Sequence, residues 1–322
     1  MPDVKLDYAP RLANLRRLGG EADADLPRLQ GLESADLERR RSGSRSNPAE
    51  LFAGRAGYDA GFLEGFPVVL PKPLCIRADD VLQVDGSRDG RLDYTHFSVV
   101  MSKSRRLAMF VAVNIEGQSS RKIERGDDQW FLDGRIPPEA QIGEELYVGN
   151  DLDRGHLVRR EDPNWGEEAE TANDDTFHFT NCTPQMAGFN QKTWLGLENY
   201  ILHNTRKWRE RVTVFTGPVF GSNDLLYRGV RIPLAYWKVV SFLTDDGRPS
   251  ASAYMIDQER EIGSLEAAFG RYKTYQRSVR YISELTLLDF GNLAQYDGFS
   301  NEEAQGGVRI EAVLRTLGDI RV

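Results

Sequence analysis

The chain has 322 residues, enough for one large domain or two modest ones with a sizeable core, and its 40% apolar and 28% charged residues exclude a disordered chain. No apolar run approaches the roughly 20 residues that cross a bilayer, which excludes a membrane-spanning helix. The net charge of −8 argues against a tightly held polyanion but not against an enzyme that turns one over, because a metal ion supplies positive charge at the reacting phosphate.

The chain opens on Met1-Pro2-Asp3-Val4-Lys5-Leu6-Asp7, without the basic and apolar regions of a signal peptide, so a cytoplasmic protein is expected. Residues 1–66 read as a helical, partly flexible extension. In it Leu12, Leu15 and Leu18, then Leu26, Leu29 and Leu32, recur among charges, Ser34 can cap a short helix, and Ser42 to Pro48 reads as a break. The run Arg39-Arg40-Arg41 reads as a solvated helix end. The main domain is expected over residues 67–322. Cys75 and Cys182 give no disulfide framework and are expected as separate thiols.

Strand signals dominate from Pro67 onward. His96 to Met101 and Leu107 to Val113 are β-rich runs joined by the polar turn Ser102 to Arg105, a hairpin. Glu116 to Gly149 is irregular and polar, with Arg121-Lys122 and Trp130-Phe131-Leu132-Asp133 inside it, and such a segment is a place for substrate contacts. Asn173 to Thr183 reads as extended and ended by Pro184. Asn190 to about Trp208 is the clearest helix, with Trp194, Leu197 and Ile201, flanked by Leu195 and Leu202, as its apolar stripe. Val212 to Phe215 reads as a strand ended by Gly217-Pro218. Leu234 to Leu243 and Ala251 to Ile256 pair across the turn Asp245-Asp246-Gly247. Helices are expected after Ser264 and around Ile282 to Leu285. Antiparallel strands with a few helices and no repeats make an α+β fold.

The chemistry gathers at Asp153-Arg154-Gly155-His156 and at the helix starting with Asn190-Gln191. Hydrolysis of a phosphodiester needs a base for water, charge on the equatorial oxygens and help for the leaving 3′ oxygen; a histidine, arginines and Mg²⁺ supply them. Asn190, Trp194 and Glu198 stand at i, i+4 and i+8, on one helix face, about 6 Å apart per step. An amide oxygen and a carboxylate on one face hold a hard cation directly or through its waters. The competing reading makes Asn190 an N-cap and Glu198 a solvated charge. From Asn190 to Arg211 five basic residues face two acidic ones, with Lys192 and Arg206 the cations expected on substrate.

Together these residues resemble the DNA/RNA non-specific endonuclease family of ββα-metal nucleases. The resemblance is carried by Asp153-Arg154-Gly155-His156, by Thr180-Asn181-Cys182-Thr183-Pro184-Gln185, and by Asn190-Gln191 with Trp194 and Leu197-Glu198. It continues through Thr216-Gly217-Pro218, Ile232-Pro233 with Ala235-Tyr236-Trp237-Lys238-Val239, and Ile256-Asp257-Gln258, covering roughly residues 68–292. The resemblance implies a mixed or antiparallel central sheet with flanking helices and a ββα-metal finger carrying the site. It implies that His156 is the general base, that Asn190 is the direct protein ligand of Mg²⁺ (with Mn²⁺ able to substitute), and that Glu198 acts on the ion through a water. Asp153 and Asn181 would orient this region, Arg154 would contact phosphate, and Arg121 is matched to the arginine that stabilises the transition state. Two departures stand out: Leu202 replaces an arginine common one turn after the helix glutamate, for which Arg206 is the candidate substitute, and Phe177 replaces an asparagine. The expected function is a Mg²⁺-dependent endonuclease of low sequence specificity, cutting DNA and RNA and leaving 5′-phosphates. A homodimer and a regulatory partner reached through the N-terminal extension are further partner readings. A silent nucleic-acid-binding module on the same fold, or a partner-regulated effector nuclease, are the alternatives.

Overall fold

The computed structural model describes residues 44–124, 126, 128–150, 152–186, 193–208, 210–257, 273–314 and 319–320. In chain order the strands are β1 (Ser46–Asn47), β2 (Lys72–Pro73), β3 (Arg91–Asp93), β4 (Phe97–Met101), β5 (Ala108–Glu116), β6 (Leu132–Asp133), β7 (Leu152–His156) and β8 (Cys182–Met186). They are followed by β9 (Arg211–Val219), β10 (Leu225–Tyr227), β11 (Val230–Ile232), β12 (Ala235–Leu243), β13 (Pro249–Asp257), β14 (Lys273–Arg277), β15 (Leu288–Asp289) and β16 (Ala312–Leu314). The α-helices are α1 (Ile76–Asp79), α2 (Ala169–Asp175), α3 (Thr193–Trp208), α4 (Val279–Thr286) and α5 (Gly298–Gly306). The fold is α+β, built on an antiparallel sheet in the order β16-β14-β13-β12-β9-β5-β4-β3.

Both faces of this sheet are buried, and the alternation along β5 shows how. Val111, Val113 and Ile115 enter one core with Val212, Val214, Tyr236 and Ile256, while Phe110 and Ala112 enter the other with Phe215, Trp237, Val239 and Met255. Helix α3 closes the first face with Leu197 and Leu202, and Ile201 packs against it. Helix α4 closes the second with Val279 and Ile282, capped by the Ser278 hydroxyl, which accepts from the Tyr281 amide. A third, smaller core, with Leu146, Tyr147, Leu152, Phe179 and Cys182, lies under the hairpin of β7 and β8.

The expected hairpins form, β4 with β5 and β12 with β13, the latter turning at Gly247 with φ +76°. Cys75 and Cys182 are separate thiols. The helix expected after Ser264 and the extension before residue 44 lie outside the described residues. Three expectations differ. Residues 44–66 do not stand outside the domain: Phe52, Tyr58, Phe62, Leu63 and Phe66 are buried, and β1 pairs in parallel with β6. Their aromatic side chains are spaced by glycines without a helical or strand period, so composition alone hid them. Asn173 to Asp175 close α2 rather than opening a strand, and Pro184 sits within β8, not after it. Among the described residues β8 pairs with β7 alone, so its other side needs no amide there.

Gly217 and Pro218 likewise lie inside β9. On the β12 side the ladder runs to Val219, but on the β5 side it stops at Thr216, which spares the proline's missing donor. Gly217 is required by contact: a Cβ there would stand 2.6 Å from the Met109 carbonyl oxygen and 2.9 Å from the Trp237 ring. Gly217→Ala is therefore expected to lower stability by about 1–3 kcal/mol through overpacking; an unchanged urea midpoint would show that the sheet yields at this point.

Candidate active site

The sequence Asp153-Arg154-Gly155-His156 forms most of β7, and β8 pairs with it in the register Asp153 with Gln185, Arg154 with Pro184, Gly155 with Thr183 and His156 with Cys182. The next helix along the chain is α3, so two strands and a helix stand in the order the motif implied. The hairpin is docked on the main sheet by one side chain of β12. The Tyr236 hydroxyl donates to the Pro184 carbonyl at 2.7 Å and lies 3.0 Å from the Thr183 hydroxyl. Gly155 has no room for a side chain, since a Cβ would stand 2.2 Å from Gln185 Cδ.

Asn181 fixes the chain leaving β7. Its Oδ1 accepts from the Val158 amide at 2.8 Å, its Nδ2 donates to the Val158 and Thr176 carbonyls, both at 3.0 Å, and its own carbonyl accepts from Leu157. A fully buried amide with all these groups matched is a strong local clamp. The His156 ring is half-buried between two aromatic rings: Trp130 at 4.6 Å between centroids and Phe177 at 5.1 Å, edge-on. Trp130 stood out in the sequence only as an apolar island in a polar loop, and Phe177 only as a departure from the family pattern.

Glu198 is not a solvated charge. It is 8% exposed on α3 and pairs with the Lys238 ammonium at 3.1 Å, which also donates to the Thr216 hydroxyl at 3.0 Å. Lys238 is the one charge within the apolar run of β12, and burial of such a charge requires a partner. Asp162, which the sequence reading missed, lies in the same network. Burial pushes its carboxyl up to about 7, Glu198 adds to the rise, and Arg159, Lys238 and Arg206 oppose it. Glu161 is held below the usual carboxylate range: burial raises it, but Arg206, Arg159 and Arg160 together outweigh that.

The arginines expected on substrate are placed as follows. Arg154 is paired with Glu144 and lies over the Tyr147 ring at 5.4 Å. Arg206 donates to the Ser120 hydroxyl at 2.7 Å and to Glu161 at 3.0 Å. Arg121 is exposed, its backbone amide tied to the Asn164 carbonyl at 2.7 Å on the loop that follows His156. Asn190 and Lys192 lie outside the described residues. The structure thus joins Asp153, Arg154, His156 and Asn181 in one hairpin unit and gathers Glu198 with Arg206 in one charged network.

The donors that are described suit a hard cation. Glu198 offers carboxylate oxygen, and Gln185, fully buried, has neither its amide oxygen nor its nitrogen hydrogen-bonded among the described residues. Among the described residues there is no group of three or more His, Cys, Asp or Glu that could cage an ion. No helix among the described residues is long and apolar enough to cross a membrane.

A protein-family model, DNA/RNA non-specific endonuclease, matches residues 81–297. The chain belongs to that family. It is 39% identical over 304 residues to the uncharacterized protein y4fB of Sinorhizobium fredii, covering 88% of this chain and 45% of the relative. Mitochondrial nuclease 1 of Schizosaccharomyces pombe is 29% identical over 182 residues (51% and 54% of the two chains), and human mitochondrial endonuclease G 31% identical over 122 residues (34% and 40%). The chain spans about half the length of these relatives. Its fold is that of endonuclease G in the crystal structure of the EndoG/EndoGI complex: TM-score 0.53, 19% identity, 64% of this chain and 87% of that one.

Two outcomes follow from this geometry. Asn181→Ala strips the clamp behind His156 and leaves a buried amide and two carbonyls unmatched, so it should cost about 2–4 kcal/mol of stability, read as a lower denaturation midpoint. Asp162 keeps a proton in the folded state that the unfolded chain releases near pH 4, so stability should fall as pH rises from about 4 to 7. Asp162→Asn should flatten that fall, on the order of 4 kcal/mol by pH 8; parallel stability curves for the two proteins would contradict this origin.

Proposed function

We propose that the protein is a metal-dependent endonuclease that hydrolyses phosphodiester bonds in DNA and RNA with little regard to sequence, using one Mg²⁺ ion and leaving 5′-phosphates. The observation that carries the reading is the meeting of the motif with its geometry. His156 ends a strand whose partner, β8, carries Asn181's clamp at its start and Gln185 beside Gly155, and the following helix presents a buried carboxylate, Glu198.

In this reading an imidazole nitrogen of His156 takes a proton from the attacking water. The water oxygen bonds to phosphorus, the bond from phosphorus to the 3′ oxygen breaks, and that oxygen leaves as a hydroxyl once protonated. The flanking rings of Trp130 and Phe177 hold the imidazole plane and shed bulk water from it. Asn181 keeps the backbone after His156 from shifting, and Asp153 sits opposite Gln185 at the start of the same strand. Glu198 and Asn190 would hold the ion, Glu198 through water; when bound, it supplies positive charge for the phosphate oxygens and the leaving oxygen.

The cations divide by availability. Arg121, exposed on its loop, is the candidate for transition-state charge. Arg154 reaches phosphate by exchanging Glu144 for a nucleic-acid oxygen, an exchange favoured because both side chains are about a third exposed and the pair is solvent-screened. Arg206 and Lys192 are the further cations expected on the strand. The Ser44 hydroxyl accepts from the amide of Glu144, the partner of Arg154, at 3.4 Å.

His156→Ala is expected to slow plasmid cleavage in Mg²⁺ by about 10²–10⁴-fold, the usual contribution of a general base. Near wild-type cleavage by that variant would falsify the mechanism. Arg121→Ala should lower kcat with little change in KM, because its contact would form only as charge develops.

A further inference from the structure

The loop that presents Arg121 is gripped from two sides, and the end of α3 supplies one of them. Gly117, the residue after β5, lies directly against the helix. Its amide donates to the Glu210 carbonyl at 2.8 Å, and a Cβ there would stand 1.8 Å from the Thr205 carbonyl oxygen. Ser119 and Ser120 then cross to the segment that follows β7. The Ser119 carbonyl accepts from the Gly166 amide at 3.0 Å, and Ser120 forms a β-bridge with Trp165. The Arg121 amide donates to the Asn164 carbonyl at 2.7 Å, so its backbone is held while the residue itself is exposed.

Arg206, in the last turn of α3, joins the two grips. Its Nε donates to the Ser120 hydroxyl at 2.7 Å and its Nη1 to Glu161 at 3.0 Å. The Glu161 carbonyl in turn accepts from the Asn164 amide at 3.4 Å, so this second contact lands on the turn that holds Arg121. One planar fork thus ties the helix to the residue before Arg121 and to the segment beneath it. The Nη2 of Arg206 is buried and has no hydrogen-bond partner among the described residues. The contact expected of Arg206 on the strand would require it to give up both partners.

We propose that Arg206 is a positioning residue, which through Ser120 sets the loop that presents Arg121 to the reacting phosphate. The inference rests on the nuclease reading and deepens it. An exposed arginine speeds the reaction only if its guanidinium already stands where charge develops, and a misplacement of about 1 Å costs on the order of 10²-fold in rate. Arg206 removes that freedom by fixing the loop to α3, the helix that carries Glu198. The transition-state cation and the helix carboxylate then keep one geometry when the strand binds.

The test measures kcat and KM for a labelled oligonucleotide cut by the full chain in Mg²⁺ at several salt concentrations, with thermal unfolding to show that each variant is folded. Arg206→Ala should lower kcat about 10-fold, and Ser120→Ala, which loses only the accepting hydroxyl, by less. KM and its salt dependence should change little for either variant. Arg206→Lys should recover little of the rate, because an ammonium keeps the charge but not the fork. In the Arg121→Ala background neither variant should lower kcat further, since both act through Arg121. Folded variants that keep the full kcat overturn the positioning role and leave Arg206 a staple of the fold. A raised KM with a shallower salt dependence, restored by Arg206→Lys, overturns it by placing Arg206 on the strand. Losses that multiply with that of Arg121→Ala overturn it as well. Full-rate cleavage by Arg121→Ala itself removes the positioning role while the nuclease reading stands. No cleavage by the unaltered chain overturns the nuclease reading and the positioning role with it.

Discussion

The pairing of Lys238 with Glu198 is the contact on which the site's placement depends. Lys238 sits at the centre of β12, 1% exposed, between Trp237 and Val239 in a strand whose neighbours are apolar. Leaving that ammonium unpaired would cost several kcal/mol, so the α3 carboxylate is drawn onto the sheet and the helix is fixed in rotation as well as position. Two residues earlier on the same strand, Tyr236 holds the β8 backbone through its hydroxyl. Two residues of one strand, two positions apart and so on the same face, therefore position both halves of the candidate site, the helix through a charge and the hairpin through a hydrogen bond.

That arrangement separates two kinds of polar burial. Asn181 is buried and fully matched, a rigid clamp with no reserve. Gln185 is buried with its amide unmatched among the described residues, and Asp162 is buried with its carboxyl pushed up to about 7. Unmatched or perturbed groups of this kind concentrate where a site must meet a ligand, because a protein fold with no such task would bury apolar groups there instead. Here Gln185 stands on β8 beside Gly155, and Asp162, in the segment that follows β7, is electrostatically coupled to Glu198.

The frame of the fold was legible because its local signals agree. The β4–β5 and β12–β13 hairpins are apolar runs with polar turns between them, and α4 begins at a serine that caps it. The motif residues were legible as spacing: Asp153 to His156 on a strand, and Glu198 on a helix. What was not legible depends on contacts between distant segments. Pro184 and Pro218 sit inside strands because each has an unpaired side, which no local pattern records. Phe52, Tyr58 and Phe66 join the core from a glycine-punctuated stretch. The solvated reading of Glu198 failed for the same reason, since its partner lies 40 residues further along the chain. A lone lysine in the apolar run of β12 was the available signal, and it called for a buried carboxylate. Phe177 was visible only as a departure; its position beside His156 came from the structure.

The central claim is that the paired carboxylate of α3 belongs to the reaction and is more than a strut. Plasmid cleavage measured over a range of Mg²⁺ concentrations for the unaltered chain and for Glu198→Gln, with thermal unfolding as a check that both are folded, tests it most directly. If the claim holds, the folded variant needs at least about 10-fold more Mg²⁺ to reach half its maximal rate, as when an outer partner of a metal site is lost. A folded variant with an unshifted Mg²⁺ dependence and an undiminished rate would contradict it.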